Sequence, residues 1–153
     1  MKLDVGCGRT MLADIRLDLY RVTPELLLDR QTCVTTANII GDACHLPFRS
    51  DVFDEVICYH QLEHVDDPIK ELRELIRVSK NRIHIKVPHR YASSARIKGH
   101  LHSFNVKWFV RVLRHYFFQA RTNYASFYGF SRPSEIEIVI WKADLEDIEY
   151  TEF

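Results

Sequence analysis

Two glycines flank a cysteine in Leu3-Asp4-Val5-Gly6-Cys7-Gly8, directly after a short apolar run. Where a strand ends in such a Gly-x-Gly turn, no Cβ stands in the way and backbone N–H groups can approach a ligand closely. The turn alone marks many nucleotide-binding folds. A nucleoside site also wants a carboxylate closing the next strand, where it can accept the ribose hydroxyls. Ile15, Leu17 and Leu19 alternate with Arg16 and Asp18, which puts Asp18 in that place. Asp29, after Leu26-Leu27-Leu28, competes at the more usual distance of about 20 residues, although choosing it leaves few residues before the third strand. A third piece is Gly41-Asp42-Ala43-Cys44-His45-Leu46-Pro47-Phe48. There Asp42, just past a buried strand, can accept a hydrogen bond from an exocyclic amine such as that of adenine. Residues 53–65 follow as a strand that runs into a polar loop carrying His60, Glu63 and His64.

These groups meet only if short strands deliver them to one end of a sheet. Apolar or alternating runs predict strands over residues 2–5, 15–19, 37–40, 54–59, 82–87 and 136–141, with a weaker, aromatic-rich candidate over 120–128. After Asp66-Asp67-Pro68 the apolar residues Ile69, Leu72, Leu75, Ile76 and Val78 predict a helix, with Asp67 as its cap and Pro68 at its first position. Glu71 and Glu74 are placed with Arg73 and Arg77 around its solvated side. A second helix is predicted over 106–116, capped by Asn105, with Phe109, Val110, Leu113 and Phe117 on its apolar face. A shorter third helix is expected from Thr23-Pro24-Glu25. Strands alternating with helices imply an α/β fold with a mostly parallel sheet. The last two strands have no helix between them, so an antiparallel hairpin is expected at that edge.

A chain of 153 residues suits one domain and leaves no room for a second. No apolar run approaches the ~18 residues of a membrane span, and Met1-Lys2-Leu3-Asp4-Val5-Gly6 lacks the charged and apolar regions of a signal peptide. A cytoplasmic location is therefore expected. Cys7, Cys33, Cys44 and Cys58 form no Cys-x-x-Cys pair and read as free thiols in a reducing compartment. The net charge is zero but unevenly spread. Between Leu75 and Ser134 there is no Asp or Glu, while twelve Lys or Arg occur. Such asymmetry bears on partners.

In this order, the four segments resemble the class I S-adenosylmethionine (SAM)-dependent methyltransferases. The similar branch reads LDVGCG … D … GDA-x-x-LPF … FD-x-V … LEHV-x-x-P … L-x-E-x-x-RV. Those positions are here Leu3 to Gly8, Asp18, Gly41 to Phe48, Phe53 to Val56, Leu62 to Pro68 and Leu72 to Val78. The likeness covers about residues 2–90; each motif is common and the combination is specific. It implies a Rossmann-like sheet of about seven strands, mostly parallel with an antiparallel C-terminal hairpin, and SAM at the carboxyl ends of the strands. One domain over 1–153 is implied, with residues 1–90 holding the cofactor and 91–153 recognising substrate and supplying the edge hairpin. By position, Asp4, Gly6, Cys7 and Gly8 would surround the methionine part. Asp18, with Leu19 beside it, would hold the ribose, and Asp42 with Ala43 the adenine. Tyr59 and His60 would line the side facing the reactive methyl.

The chain departs from that pattern in three ways. Thr10 replaces the third glycine, which stiffens the turn; the first helix is nearly absent; and the N-terminal helices that usually cover the cofactor are not expected, giving a minimal version of the fold. The site is then open, or closed by a second subunit or a partner protein. A nicotinamide dehydrogenase is the enzymatic rival, but it wants Gly where Met11 stands. A non-catalytic SAM-binding subunit of a larger complex is the other alternative.

The implied reaction is an in-line displacement on a sulfonium methyl, in which holding the reacting atoms about 3–3.5 Å apart does most of the work. A general base is needed only if the acceptor must lose a proton, and His60, Glu63, His64 and His89 are the candidates. Glu63 and His64 read equally well as loop or helix-capping groups, and His60 as a group that positions the cofactor. His100-Leu101-His102 raises a metal, but without a carboxylate partner the pair reads as surface, and no metal ligand is expected. The acid-free stretch interleaves its cations with Tyr91, Phe104, Trp108, Phe109, Tyr116, Phe117, Phe118, Tyr124 and Phe127. Cations attract phosphates and aromatic rings stack on bases, so an anionic acceptor is expected, either a nucleic acid or a phosphorylated small molecule. Against this, half of those aromatics could be core and the cations could pair with the acidic first half.

Overall fold

A computed structural model of the chain describes residues 1–23, 33–127 and 130–142. The strands are β1 (Lys2–Val5), β2 (Ile15–Asp18), β3 (Val22–Thr23), β4 (Cys33–Val34), β5 (Ile39–Ile40), β6 (Phe53–Tyr59), β7 (Ser79–Pro88), β8 (Phe117–Phe127) and β9 (Phe130–Trp141). The α-helices are α1 (Pro68–Val78) and α2 (Val106–Val112). Seven strands form one sheet in the order β5-β2-β1-β6-β7-β9-β8, while β3 and β4 pair separately and antiparallel. The five strands from β5 to β7 run parallel; β9 joins β7 antiparallel, and β8 joins β9 antiparallel. The expected α/β sheet with its antiparallel edge hairpin is thus the fold observed.

Central strands buried on both sides read as near-continuous apolar runs. In β6 that run is Val56-Ile57-Cys58, whereas in β7 buried Ile83, Ile85 and Val87 alternate with the half-buried His84 and Lys86. Leu72, Leu75 and Ile76 of α1 pack into the same core, as do Phe104, Phe109, Leu113 and the alternating Ile136, Ile138 and Ile140 of β9. The Asp67 carboxylate accepts from Ile69 N and Lys70 N at 3.0 Å, with Pro68 in the first turn, so the predicted cap is the observed one.

Several boundaries and faces differ from the sequence-based expectation. The buried face of α1 is Pro68, Glu71, Leu72, Leu75, Ile76 and Val78, whereas Ile69 is exposed. Position on the helix, with its recurrence at three and four, decided this, and residue type did not. Glu71 is therefore inside, and only Glu74 forms the expected pair with Arg77. Strand β7 starts at once from the end of α1, and β8 and β9 both start earlier than predicted. Helix α2 stops at Val112, Val110 is exposed, and Phe117 belongs to β8. The third helix expected from Thr23 meets strand β3 at Thr23; its remainder, and Asp29, lie outside the described residues. No helix among the described residues is long and apolar enough to cross a membrane.

Candidate active site

Strand β1 has β2 on one side and β6 on the other, so the chain leaves it in opposite directions along the sheet. Open α/β sheets bind ligands in the crevice this creates at the carboxyl ends of the strands. A cleft of about 630 Å³ lies there, a size suited to a small molecule. The turn after β1 lines it with Gly6 and Gly8, the end of β2 with Asp18, Leu19 and Tyr20, and the loop after β5 with Asp42, Cys44 and His45. The loop after β6 adds His60, Gln61 and His64, and the start of α1 adds Asp67 and Lys70.

The glycine turn is bent back onto β2: Gly6 N and Cys7 N both donate to Leu17 O, at 2.9 and 3.2 Å. Gly6 (φ 67°) and Gly8 (φ 51°) sit in the left-handed region. A Cβ at Gly6 would lie 2.4–2.6 Å from the Gln61 side chain, whereas one at Gly8 would meet nothing within 4 Å. Gly6 is thus required by packing inside the protein, and Gly8 presents bare backbone to the cleft. Thr10, in place of the third glycine, pins the turn: its hydroxyl donates to the Asp4 carboxylate and lies 2.9 Å from Cys7 O. Asp4 itself is buried beneath the turn, where desolvation raises its pKa against the Thr10 hydrogen bond.

Asp18 does two things at once. One carboxylate oxygen accepts from Gly8 N at 2.9 Å and the other from Tyr20 N at 3.2 Å, while the side chain still borders the cleft. Asp42 accepts from Cys44 N at 2.8 Å and lies 2.7 Å from His45 Nδ1; the His45 contact, ahead of the Cys44 bond, holds its pKa below the usual carboxylate range. Lys70 closes this corner on His45 Nε2.

At the end of β6 the backbone turns through His60 at φ 54°, an uncommon conformation for a residue with a Cβ. The ring has Nε2 2.9 Å from Glu135 and Nδ1 3.7 Å from Glu63, and the Glu63 carboxyl is the main cause of its raised pKa. Glu63 is 1% exposed, and neither carboxyl oxygen has a hydrogen-bond partner among the described residues. Leu101 N and His102 N donate to Glu63 O at 2.8 and 3.2 Å. That stitching brings His100 to Glu63 and His64, so that one potential ligand atom from each of the three lies within 4.8 Å of the others. The carboxylate that His100-Leu101-His102 lacks in sequence is therefore present in space.

Six sequence-predicted residues lie outside the cleft's lining: Asp4 and Glu63, already described, and four more. Cys7 and Ala43 are buried in the core behind it. Tyr59 has its hydroxyl 2.7 Å from His84 Nδ1, and burial, with Glu137 adding, pushes its pKa up to about 12. His89 is buried after β7, with its own N–H on Ser134 O at 3.1 Å and a pKa lowered chiefly by burial. Gln61, His45, Lys70, Glu135 and His100 were not singled out as site residues. Of these only His100 left a sequence signal, the His-x-His pattern; the others depend on chain crossings.

A doubly wound sheet with a glycine turn, a strand-end carboxylate and a switch-point cleft defines a Rossmann-like nucleoside-binding domain. The methyltransferase-domain family matches residues 3–84, and the chain belongs to this family of SAM-dependent methyltransferases. An uncharacterized protein of Methanocaldococcus jannaschii is 37% identical over a 91-residue alignment covering 52% of this chain and 36% of that protein. The ajmaline N-methyltransferase of Rauvolfia serpentina is 32% identical over 91 residues, covering 50% of this chain and 31% of its own. The chain thus spans about a third of the length of these curated relatives. In fold it is similar to a SAM-dependent methyltransferase of Thermotoga maritima, with a TM-score of 0.65, 15% identity, and 93% of this chain and 82% of that one covered.

Proposed function

We propose that the chain binds SAM in the switch-point cleft and moves its methyl group to an anionic acceptor arriving over residues 89–104. The observation that carries the cofactor half is Gly8, whose bare backbone borders open space while its N–H is held by the Asp18 carboxylate. The lining suits the molecule: Asp18 and Asp42 offer acceptor oxygens to ribose hydroxyls and an adenine amine, and acidic groups on the wall suit a cationic sulfonium. When bound, SAM supplies a methyl on a good leaving group. The chain's own part is to orient the acceptor and limit water. His60 has both ring nitrogens turned toward carboxyl groups, so it steadies the wall of the cleft.

The acceptor half rests on charge. Arg77, Arg82 and Lys86 pair with Glu74, Glu55 and Glu137, so part of the basic stretch is used within the fold. Arg90, Arg96 and Lys98 are exposed and form no salt bridge among the described residues, and Arg90 lies 5.3 Å from the centre of the exposed Tyr91 ring. Phe104 and Phe109 are core, with Trp108 and Phe118 packed against it, and so do not serve the acceptor. Residues 1–90 would hold the cofactor and residues 91–153 would recognise the acceptor. The exposed Leu19 and Tyr20 on the rim support a second subunit or partner that closes the cleft.

Calorimetric titration with SAM and with S-adenosylhomocysteine tests the cofactor half. Asp18→Ala is expected to weaken binding by about tenfold to a hundredfold, the worth of hydrogen bonds to a charged group; an unchanged affinity overturns the ribose assignment. Methyl incorporation into RNA or phosphorylated acceptors that falls with salt supports the acceptor half, and equal transfer to neutral analogues refutes it. Binding without turnover on any acceptor would favour the non-catalytic subunit.

A further inference from the structure

We propose that Glu63, His64 and His100 form a binding site for a divalent first-row transition ion of the Zn²⁺ kind, on the wall of the cofactor cleft. Three observations carry it. Potential ligand atoms of these three side chains already lie within 4.8 Å of one another, so side-chain rotations of an ångström or so bring them to bonding distance around one ion. Both oxygens of the buried Glu63 carboxyl, and Nδ1 of His100, are buried without a hydrogen-bond partner among the described residues. Polar groups left that way are costly and rare, and a divalent cation satisfies an imidazole nitrogen and a carboxylate together. Finally, His64 Nδ1 lies 3.0 Å from Gly99 O. A carbonyl cannot donate, so Nδ1 carries the proton and Nε2 is left with its lone pair, the arrangement that outer-shell carbonyls impose on metal-binding histidines.

The ligand set selects the ion. Two imidazoles and one carboxylate suit Zn²⁺, Fe²⁺, Co²⁺ or Ni²⁺ better than Mg²⁺ or Ca²⁺, which prefer oxygen. Three protein ligands leave coordination positions open, and His64 borders the cleft, so the open side is available to an acceptor oxygen. The site is also assembled from distant chain segments. Leu101 N and His102 N both bond to Glu63 O, and the His64 and His100 rings stand edge to face at 4.6 Å. Metal binding stands on this geometry alone; only the ion's service to an acceptor rests on the methyltransferase reading.

The test is titration of chelator-stripped protein with Zn²⁺ in competition with a chromogenic chelator, and with Co²⁺ followed by its visible absorption. One equivalent per chain is expected. Outer-shell substitutions at metal sites already cost about 10–100-fold, so Glu63→Gln and His100→Asn should each cost more than about a hundredfold. His102→Ala, outside the group, should bind like the parent chain. Circular dichroism checks that each variant folds, and a Zn²⁺-dependent rise in melting temperature seen only in the parent chain is the second readout. Failure to bind one equivalent, or binding that survives both Glu63→Gln and His100→Asn, overturns the site. Titrating the same samples with S-adenosylhomocysteine reports on the methyltransferase reading separately, so either idea can fail without the other.

Discussion

Glu71 is a carboxyl group that the fold holds in the wrong solvent. It is fully buried on the inner face of α1, with one oxygen 3.5 Å from the Cys58 thiol and the other without a hydrogen-bond partner among the described residues. Burial raises its pKa from 4.5 to about 8. At pH 7 the folded chain therefore keeps a proton that the unfolded chain has released. The folded pKa is the higher of the two, so the stability this proton confers is complete below pH 4.5 and is lost as pH rises to about 8. At about 1.4 kcal/mol per pH unit, the interval from 4.5 to about 8 corresponds to about 5 kcal/mol. Glu71→Gln keeps the shape and an acceptor for the Cys58 thiol but does not titrate. Urea unfolding of both proteins between pH 5 and pH 9 gives a difference curve from which other titrating groups cancel. The variant's stability relative to the parent should climb by several kcal/mol, on the order of the figure above, and level off near pH 8. A flat difference would refute the argument that Glu71 is buried as a neutral acid.

The two glycines of the first turn should respond differently to alanine. Gly8→Ala meets open space and should cost only the left-handed backbone penalty of about 1–2 kcal/mol, while weakening S-adenosylhomocysteine binding. Gly6→Ala carries that penalty and must also displace Gln61, so its melting temperature should fall clearly further; equal losses would contradict the contact. Arg77 donates to both carboxylate oxygens of Glu74, to Phe48 O at 2.7 Å and to Leu46 O at 3.0 Å. Arg77→Ala should therefore destabilise by about 2 kcal/mol in urea unfolding. Arg77→Lys should recover little, because a lysine has no fork to span these acceptors; full recovery would refute that role.

Short-range chemistry was legible without coordinates. The Asp67 cap with Pro68, the Asn105 cap on Trp108 N, the Gly-x-Gly turn after β1 and the position of Asp18 at the end of β2 each depend on residues a few positions apart. The alternation of Ile136, Ile138 and Ile140 was enough to mark the strand that closes the hairpin. Residue type misleads on α1: the charge of Glu71 predicts a solvent-facing side chain, but its position on the same stripe as Leu72 and Leu75 buries it.

The sequence by itself determined the class of the protein, because the motifs of its first ninety residues are local and their order dictates the wound sheet. Only the tertiary structure decided which groups share a site. Gln61 over Gly6, Glu135 on His60, and His100 beside Glu63 and His64 join residues 36 to 75 positions apart, or bring one loop across another. Such contacts follow from strand order and from backbone hydrogen bonds such as Leu101 N to Glu63 O. No periodicity or spacing in the chain encodes those distances.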